Sequence, residues 1–435
     1  MHRFTLQSIY MQNFKMFREA DVNFEPDLTI LIGDNGSGKS TILDAARIAI
    51  ASFFIKLETN SAISIARTDA TRVAYSYANS VRTEAQYPVT VGAEAVIDGI
   101  PTHWERRLKT PKGKTTRVGA SSVMHISEEW QKAVRQGDSS VVLPVFTYYG
   151  TNRLWKASNV SAAGKIEMQG RLAGYDNCLD ACIDYELMRT WFKRQAFSEF
   201  QRKEASRDYR IVKDMLASAL TDLVECSNAS VGFDAEEDDI VVSYIDDNNC
   251  THYDPVKSMS DGYRDVFILL ADIAFRMTLL NPGLEEEVLT STPGIVLIDE
   301  LDLHLHPKWQ ALIVPVLTKA FPNVQFVGTT HSPIILSSIP SRHIRLLEHG
   351  QLFLPSSETY GNAVSSVLLS AMGTRDRIPS IAKLFINANA LLSRGELSQV
   401  ENILDKIEEA VGQQDPDVKA LKLSLSLAKM ESGLL

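Results

Sequence analysis

The stretch Gly33-Asp34-Asn35-Gly36-Ser37-Gly38-Lys39-Ser40-Thr41 decides the fold of this chain. It directly follows the apolar run Leu28–Ile32 and directly precedes the helical pattern Ile42–Ile50. Glycines within it let the backbone curl so that successive N–H groups point at one anion, which a Cβ would obstruct. The helix that follows would add the positive end of its dipole. The stretch therefore predicts a phosphate-binding loop between a strand and a helix.

Two side chains of this loop have specific roles in the prediction. Lys39 is expected to place its charge against the terminal phosphates, and the Ser40 hydroxyl is expected to ligate magnesium. A glycine-rich turn that fits the pattern by chance is the alternative, but strand, lysine, hydroxyl and helix are all in register. We therefore expect a nucleotide, contacted by Gly33, Asp34, Asn35, Gly36, Ser37, Gly38, Lys39, Ser40 and Thr41.

The composition is that of an ordinary globular protein. A chain of 435 residues with 45% hydrophobic residues is long enough for two or three domains. The net charge of -10 argues against a protein that coats nucleic acid by bulk electrostatics, although it is compatible with a local basic patch. The N-terminus has no signal-peptide pattern, and no run approaches a membrane span. We expect a cytoplasmic protein whose cysteines are reduced, namely Cys178, Cys182, Cys226 and Cys250.

A basic β-hairpin is predicted before the middle of the chain. Val89–Ile97 alternates, Asp98-Gly99 is a turn signal, and Trp104–Leu108 returns. Its basic residues either contact nucleic acid or an acidic partner, or protect a solvated edge, which we favour; they are Arg106, Arg107, Lys109, Lys112, Lys114 and Arg117.

Aromatic and basic residues also alternate in the helical segment Asp176–Cys226. Such a mixture can hold a nucleic-acid strand by stacking and phosphate contact. The helical spacing favours core-facing aromatic rings with a charged outer face instead. The aromatic residues are Trp191, Phe192, Phe197 and Phe200, among Arg189, Lys193, Arg194, Arg202, Lys203, Arg207 and Arg210.

A second phosphate site is predicted at Ser260-Asp261-Gly262-Tyr263-Arg264, which precedes the apolar helix Asp265–Leu280. Ser260 is expected to cap that helix, and Gly262 leaves the helix N-terminus open to an anion.

An acid pair follows the apolar run Gly294–Ile298. As a buried parallel strand, this run would deliver Asp299 and Glu300 to the sheet edge from which the phosphate loop also emerges. Asp299 is expected to hold magnesium through water, and Glu300 to orient or deprotonate the attacking water. The alternative is that these acids cap the next element.

His331 follows the next strand pattern, Val324–Thr329, and is expected to contact or sense the γ-phosphate. A zinc site of His304, His306 and His331 is a minor alternative, because the surrounding residues offer no plausible cage.

These motifs, in this order, resemble the ABC-type heads of the SMC and RecF group of ATPases. In that comparison residues 260–264 look like the signature motif, the acid pair like the second Walker motif, and His331 like the switch histidine. The resemblance implies ATP and Mg²⁺ as ligands and head-to-tail dimers with ATP between two copies. It places Lys39, Ser40, Asp299, Glu300 and His331 in cis, and Ser260, Gly262 and Arg264 in trans.

The chain more specifically resembles the PtuA family of bacterial Septu defence ATPases. The likeness rests on Leu297–Pro307, Tyr148–Arg153, Tyr360-Gly361 and the tail Arg375–Leu427. It implies an antiviral ATPase that forms higher oligomers and partners an HNH nuclease.

Two departures from the ABC-type pattern stand out. Thr151-Asn152-Arg153 occupies the place of the expected glutamine-bearing loop, which puts metal sensing and hydrolysis rate in doubt. No long heptad run predicts coiled-coil arms. There is also no third acidic cluster of the kind that marks a fused metal-dependent nuclease.

The C-terminal segment has apolar stripes typical of three amphipathic helices. Their members are Ile378, Ile381, Ala382, Phe385 and Ile386, then Leu397, Val400, Ile403, Leu404, Ile407 and Val411, then Val418, Leu421 and Leu425. Such a module either packs on the head or docks a partner.

The fold class that follows is α/β: an ABC-type P-loop ATPase head, with a mixed sheet and flanking helices, an inserted helical and β region, and a C-terminal helical module. The expected divisions are the first lobe of the head (1–50), an inserted β-hairpin and helical region (51–140), a head strand and loop (141–155), a helical insertion with an acidic hairpin (156–255), the second lobe (256–360) and the C-terminal docking module (361–435).

The resemblance implies a cytoplasmic ATPase subunit whose head-to-tail dimers control a nuclease docked on the C-terminal helices, with any DNA contact indirect and no membrane contact. Two alternatives stay open. One is a RecF-like DNA repair or recombination ATPase, which duplex DNA would stimulate. The other is a nucleotide-gated scaffold with little turnover, which the missing glutamine favours.

Overall fold

The computed structural model of the chain describes residues 4–59, 61–77, 80–153, 170–374 and 377–431. Residues 154–169, where the predicted 141–155 and 156–255 segments meet, lie outside these ranges, as does Arg375 of the predicted tail. The chain separates into two compact units, Met1–Asn362 and Ala363–Leu435. Within the described ranges, no helix has both the length and the apolarity that crossing a membrane requires.

Strands form where apolar or β-branched residues recur between turn residues. They are β1 (Phe4–Phe14), β2 (Phe17–Asn23), β3 (Leu28–Ile32), β4 (Arg72–Tyr77), β5 (Ser80–Ala85), β6 (Val89–Ile97), β7 (Ile100–Leu108), β8 (Val145–Tyr149), β9 (Ser227–Asp234), β10 (Asp239–Ile245), β11 (Thr251–Pro255), β12 (Gly294–Ile298), β13 (Val324–Thr329), β14 (Ile344–Glu348) and β15 (Gln351–Phe353).

The α-helices follow the segments with a helical apolar period. They are α1 (Lys39–Ile50), α2 (Ser121–Arg135), α3 (Tyr185–Arg202), α4 (Arg207–Val224), α5 (Asp261–Leu280), α6 (Val288–Ser291), α7 (Pro307–Gln310), α8 (Ile313–Ala320), α9 (Pro333–Ser337), α10 (Val364–Met372), α11 (Pro379–Ser393), α12 (Leu397–Val411) and α13 (Pro416–Glu431).

The strand before the phosphate loop, β3, lies inside a sheet of order β15-β14-β3-β13-β12-β8. All neighbouring pairs from β14 to β8 are parallel, whereas β15 is antiparallel to β14, so the sheet is mixed as predicted. Strands β3, β8, β12 and β13 are buried along their whole length, which explains their continuous apolar sequences. Because parallel strands end at one edge, the residues that follow β3, β12 and β13 meet there.

A second, antiparallel sheet has the order β2-β1-β6-β7. The predicted basic hairpin is confirmed as β6 and β7, with Ile97 opposite Ile100. Its Trp104 donates to the Ala49 carbonyl of α1 over 3.0 Å, and rings from β1 and β8 meet at a Phe4–Phe146 centroid distance of 4.9 Å. An aromatic core therefore joins this sheet to α1 and to β8 of the mixed sheet.

One member of the predicted basic cluster is not on the surface. Arg106 is buried and donates to the carbonyls of Thr116 and Ile63, and burial lowers its pKa to about 10. The interpretation of Arg106 as part of a solvated edge or a binding finger is therefore wrong. Its alternation with Trp104 and Leu108 places all three on the inward face of β7.

Gln325 of β13 ties the first strand of the chain to the mixed sheet. Its side-chain amide donates to the carbonyls of Leu6 and Glu25, and its oxygen accepts from the Leu6 N–H, each over 2.8 Å. The side chain is fully buried, so these backbone groups have no access to water as a substitute. A polar residue inside a buried strand is thus explained by the backbone groups that it satisfies.

A third sheet, β11-β10-β9, confirms the predicted acidic hairpin, in which Asp234 pairs with Asp239. Helix α5 begins at Asp261, earlier than the predicted Asp265. Ser260 occupies the N-cap position, but its side chain makes no capping hydrogen bond, so the predicted cap is wrong. Its hydroxyl stays exposed at the start of the helix.

The C-terminal unit contains the three predicted helices as α11, α12 and α13, preceded by α10. Its core is formed by Ala388, Leu397, Val400, Leu404, Ile407, Val418, Leu421 and Leu425. Ile378 and Ile386 were expected in the first apolar stripe, but they are exposed. They lie outside the core formed with α12 and α13, so that stripe is wider than the buried surface.

We predict that Gln325→Leu destabilises the Met1–Asn362 unit by about 2–4 kcal/mol, because it leaves buried N–H and C=O groups without partners. All five tryptophans precede residue 310, so urea unfolding followed by tryptophan fluorescence reports on this unit. The matched control is Gln351→Leu on the exposed face of β15, which should change the free energy of unfolding by less than about 0.5 kcal/mol. Equal unfolding midpoints for the two variants would contradict this role of Gln325.

Candidate functional site

The phosphate loop has the geometry that its glycines predict. It runs from Gly33, with φ 146°, to Gly38, with φ 111°, which is the N-cap of α1. A Cβ on Gly33 would lie 2.4 Å from the Leu347 carbonyl oxygen, and one on Gly38 would lie 2.6 Å from the Met16 sulfur. At these two positions a side chain would therefore collide with the protein itself and would need a left-handed backbone.

Lys39 folds back across this loop. Its ammonium donates to the carbonyls of Gly33 and Asp34 over 2.8 and 2.9 Å, and the residue is buried. Burial lowers the pKa of Lys39, opposed most strongly by the negative charge of Asp299. The result is a partly desolvated cation held on the loop at the N-terminus of α1, which is a suitable environment for phosphate.

Asp299 is the point at which three strand ends meet. Its carboxylate accepts from the Ser40 hydroxyl at 3.1 Å and from the Thr329 hydroxyl at 2.7 Å, and the residue is only 5% exposed. Ser40 follows β3 and the loop, Asp299 follows β12, and Thr329 ends β13. The structure thus brings together the two side chains that the sequence assigned to magnesium.

A hydroxyl and a carboxylate are the oxygen donors that Mg²⁺ prefers, and this ion usually completes its shell with water and substrate phosphates. Ser40 and Asp299 therefore fit a magnesium ion held beside a nucleotide. In the part of the chain that is described, no group of three or more His, Cys, Asp or Glu residues is arranged to hold a metal. This includes His304, His306 and His331.

Glu300 has a left-handed backbone, with φ 50°. Its N–H donates to the Thr329 hydroxyl over 2.8 Å, so one hydroxyl holds both members of the acid pair. Non-glycine residues adopt this conformation at a cost, and the surrounding hydrogen bonds maintain it. Motif reasoning missed Thr329, although its position at the end of an apolar strand was a usable signal.

Asp302 fixes the backbone around His331. It accepts from the Thr330 hydroxyl at 2.6 Å and from the His331 N–H at 3.2 Å. The predicted histidine therefore follows β13 at the same sheet edge as Asp299, on a segment held in place by a carboxylate that sequence reasoning did not assign.

The predicted signature residues lie at the start of α5. A Cβ on Gly262 would lie 2.5 Å from the His304 carbonyl oxygen, so the helix start packs directly on the segment after the acid pair. Arg264 pairs with Asp261 at 2.5 Å on its own helix. Within the described residues, no hydrogen bond or ion pair joins Ser260 or Arg264 to the phosphate loop.

A cavity of about 420 Å³ opens beside these signature residues. Its polar lining includes Ser260, His304, His306 and Lys308, and none of the phosphate-loop residues contributes to it. The chain thus presents two separate polar sites, one around Lys39 and Asp299 and one around Ser260.

Arg153 joins the two sites through the protein interior. Its guanidinium forms a bidentate pair with Asp265 of α5, with Nε–Oδ1 and Nη2–Oδ2 distances of 2.6 and 2.5 Å. It also donates to the carbonyls of Asp299 and Glu300 over 2.8 and 3.3 Å. Both charged side chains are almost completely buried, at 1% and 3% exposure. The residue at the place of the expected glutamine therefore links the acid pair to the signature helix.

The same helix is tied to β8 further along. The Tyr149 hydroxyl donates to Asp272 over 2.8 Å, and Arg276 donates to the same carboxylate over 2.8 Å. Burial, reinforced by the charge of Asp272, raises the pKa of Tyr149 well above its ordinary value, so the phenol stays protonated as the donor. Two buried carboxylates on α5 thus fix this helix to β8 and to the loop that follows it.

Two protein-family models match the chain. One, described as "AAA domain", matches residues 8–223. The other, described as "AAA domain, putative AbiEii toxin, Type IV TA system", matches residues 188–337.

Known proteins are similar to this chain over alignments of different length. The chain is 28% identical over 430 residues to "Retron Ec83 probable ATPase" of Escherichia coli, covering 85% of this chain and 76% of that protein. It is 32% identical over 170 residues to "Septu protein PtuA" of Bacillus mycoides (strain KBAB4), covering 36% of this chain and 23% of that protein. The similarity to PtuA expected from the motifs is thus found, and the similarity to the retron ATPase, which the motifs did not indicate, extends over much more of the chain.

Among solved structures, the head domain of an SMC protein bound to the C-terminal winged-helix domain of ScpA is 15% identical, with a TM-score of 0.48, covering 81% of this chain and 98% of that chain. The two AAA models together span residues 8–337, a range that holds the phosphate loop, the acid pair and Thr329. The chain therefore belongs to the AAA-domain ATPases.

Proposed function

We propose that this ATPase is the ATP-driven regulatory subunit of a cytoplasmic anti-phage defence complex, in which head-to-tail dimers of its ATPase unit control a partner nuclease of the HNH type. The names of the retron and Septu relatives support the defence role. All four cysteines are free thiols, which fits a reducing compartment.

The observation that carries the head-to-tail arrangement is the separation of the two polar sites within one copy. Lys39, Ser40 and Asp299 form a site for the phosphates and metal, whereas Ser260 lies exposed beside a different cavity. An exposed hydroxyl at the start of a 20-residue helix is a suitable group for an anion that another copy supplies. A second copy would bring its Ser260 and Gly262 onto the phosphates bound by the first.

The residues of one copy would divide the chemistry among them. The loop N–H groups and Lys39 bind the phosphates, and Ser40 and Asp299 hold Mg²⁺, which supplies charge neutralisation at the phosphates. Glu300 orients or deprotonates the attacking water, and His331 contacts the γ-phosphate. Arg264 of the opposite copy would have to leave Asp261 to reach the phosphates.

The partner would dock on the C-terminal unit. Apolar residues on its surface support this placement, among them Leu369, Ile378, Leu423, Leu427 and Met430, each more than half exposed. A small helical unit with several exposed large apolar side chains is a suitable docking surface for a partner protein.

A nucleotide-gated scaffold is the second candidate function. It is favoured by Arg153, which occupies the place of the expected glutamine and is held in a buried ion pair. In a scaffold, ATP binding would close the dimer and turnover would be incidental.

Steady-state phosphate release separates these candidates. As a regulatory ATPase, the chain should release phosphate well above the rate of its Glu300→Gln variant, without a requirement for duplex DNA. Rates equal to those of the variant would leave only the scaffold, and strong stimulation by duplex DNA would favour a RecF-like function. DNA cleavage by the chain alone that survives Glu300→Gln would contradict the need for a partner nuclease.

Variants on the two polar sites should have different effects. Lys39→Ala should abolish ATP binding, because it removes the cation at the phosphates. Ser260→Arg should leave binding intact and prevent dimer formation, because a long charged side chain would occupy the place of the partner's phosphates. Fluorescent ATP measures binding, and sedimentation velocity in a Glu300→Gln background measures ATP-dependent dimers.

Lys112→Ala and Ser121→Arg are the matched controls, because both residues are exposed and lie outside the nucleotide site. If Ser260→Arg still dimerises with ATP as the parent does, the assignment of Ser260 to the opposite copy is wrong.

Arg153 should act as a positioning residue: its loss should lower kcat by more than the loss of stability explains. Arg153→Met should cost about 3–5 kcal/mol, because Asp265 is left buried and unpaired. The double variant Arg153→Met/Asp265→Leu should regain most of that stability and still bind ATP. Its kcat should stay at least about tenfold low, because the Asp299 and Glu300 carbonyls have then lost their guanidinium donor, although the Leu303 N–H still donates to the Glu300 carbonyl.

The control is the second buried pair on the same helix, in Arg276→Met/Asp272→Leu, which makes no contact with the acid pair. This variant should lose stability and keep its kcat per folded molecule. Equal losses of kcat in both double variants would assign Arg153 a structural role only.

A further inference from the structure

Helix α3 divides its aromatic residues into two sets. Trp191 and Phe192 are buried, and Trp191 packs against Tyr209 and Phe275 with ring centroids 5.8 and 5.2 Å apart. The core-facing interpretation of this segment is confirmed for them. It is wrong for Phe197 and Phe200, which are 62% and 83% exposed. These two rings lie one helical turn apart on the outer side of α3.

Two exposed phenylalanines on one face are unusual for a surface that contacts only water, since burial of each ring would be favourable. The packing of α3 already uses other residues, so these rings do not stabilise the helix against the core. They are available to a flat apolar partner group.

The cations around these rings are also available. Most basic residues of the segment are paired with carboxylates: Arg189 and Lys193 with Asp238, Arg207 with Glu285, and Arg210 with Glu286. Three others have no carboxylate within ion-pair distance in the described part of the chain, namely Arg194, Arg202 and Lys203. All three are exposed.

These cations flank the two rings. Arg194 precedes Phe197 by one turn and Lys203 follows Phe200 by one turn, while Arg202 lies next to Lys203 at the end of the helix. The distance along the helix from Arg194 to Lys203 is about 14 Å, which matches a few nucleotides of an extended strand. Glu199, the carboxylate between the rings in sequence, forms an ion pair with the Lys213 ammonium at 3.7 Å.

We propose that this α3 surface, formed by Arg194, Phe197, Phe200, Arg202 and Lys203, binds single-stranded nucleic acid. The rings stack on unpaired bases, and the cations contact the phosphates on either side. Duplexes fit poorly, because their bases offer no free face to a ring. Because the chain carries a net charge of -10, attraction of a polyanion has to come from a local basic surface such as this one, and it weakens steeply with salt.

Fluorescence anisotropy of the full chain with labelled 20-residue poly-dT and poly-U tests this surface, and a 20-base-pair duplex serves as the competitor. We expect saturable binding of a single strand at low salt. The duplex should compete for this binding at least about tenfold less well than an unlabelled single strand does. Comparison of dT with U shows whether DNA or RNA is preferred. Absence of saturable binding to both strands overturns the proposal, and so does a preference for the duplex.

Phe197→Ala/Phe200→Ala should weaken single-strand binding at least about tenfold, since each lost stack removes a sizeable part of the affinity. Both side chains are exposed and lie outside the nucleotide site, so ATP turnover should stay at the parental rate. Phe353→Ala is the control, because this phenylalanine is also exposed but lies on β15. Equal losses of single-strand affinity in the two variants would contradict the proposal.

A charge comparison separates this surface from the basic hairpin. Arg194→Glu/Arg202→Glu/Lys203→Glu should abolish binding and flatten its salt dependence. Lys109→Glu/Lys112→Glu/Lys114→Glu makes the same change of charge on the exposed end of the hairpin and should reduce affinity far less. If the hairpin variant loses as much affinity for the single strand, the attraction does not depend on the α3 surface. If the α3 variants bind normally but elute at a changed oligomeric size, this face is an interface between copies.

Discussion

The carboxylate of Asp299 is the group on which the site depends. Removing a carboxylate from water is costly, and this one is compensated by the Ser40 hydroxyl, at the start of the helix after β3, and by the Thr329 hydroxyl, at the end of β13. The hydrogen bonds are satisfied only if β3, β12 and β13 are adjacent, parallel and in the observed register. The observed order of the strands is therefore a condition for assembling the nucleotide site.

A second buried charge extends that constraint to a distant part of the molecule. Arg153 leaves the end of β8, neutralises Asp265 on the signature helix and holds the carbonyls after β12. In a low-dielectric interior such a pair has few alternative arrangements, so the helix and the acid pair move together or not at all. This differs from a loop that carries a single polar side chain toward a metal, because the guanidinium contacts a carboxylate and two backbone carbonyls of the protein itself.

The sequence was informative where chemistry is local. The phosphate loop, the acid pair after a buried run and the hairpin around Asp98-Gly99 were all predictable, because each depends on residues close together in the chain. Thr329, Arg153 and Asp302 were not assigned, because each acts through a partner at least 28 residues away. The exposure of Phe197 and Phe200 was equally hidden, since helical spacing shows which residues share a face but not where the packed face ends.

The pairing of β3 has a consequence for how the chain is made. Its neighbours in the sheet are β13 and β14, so this buried, largely apolar strand leaves the ribosome roughly 300 residues before the strands that pair with it. At typical translation speeds that delay is about 15 to 60 seconds. For most of synthesis β3 therefore lacks its partner strands, and the nucleotide site can be assembled only after nearly the whole ATPase unit has emerged.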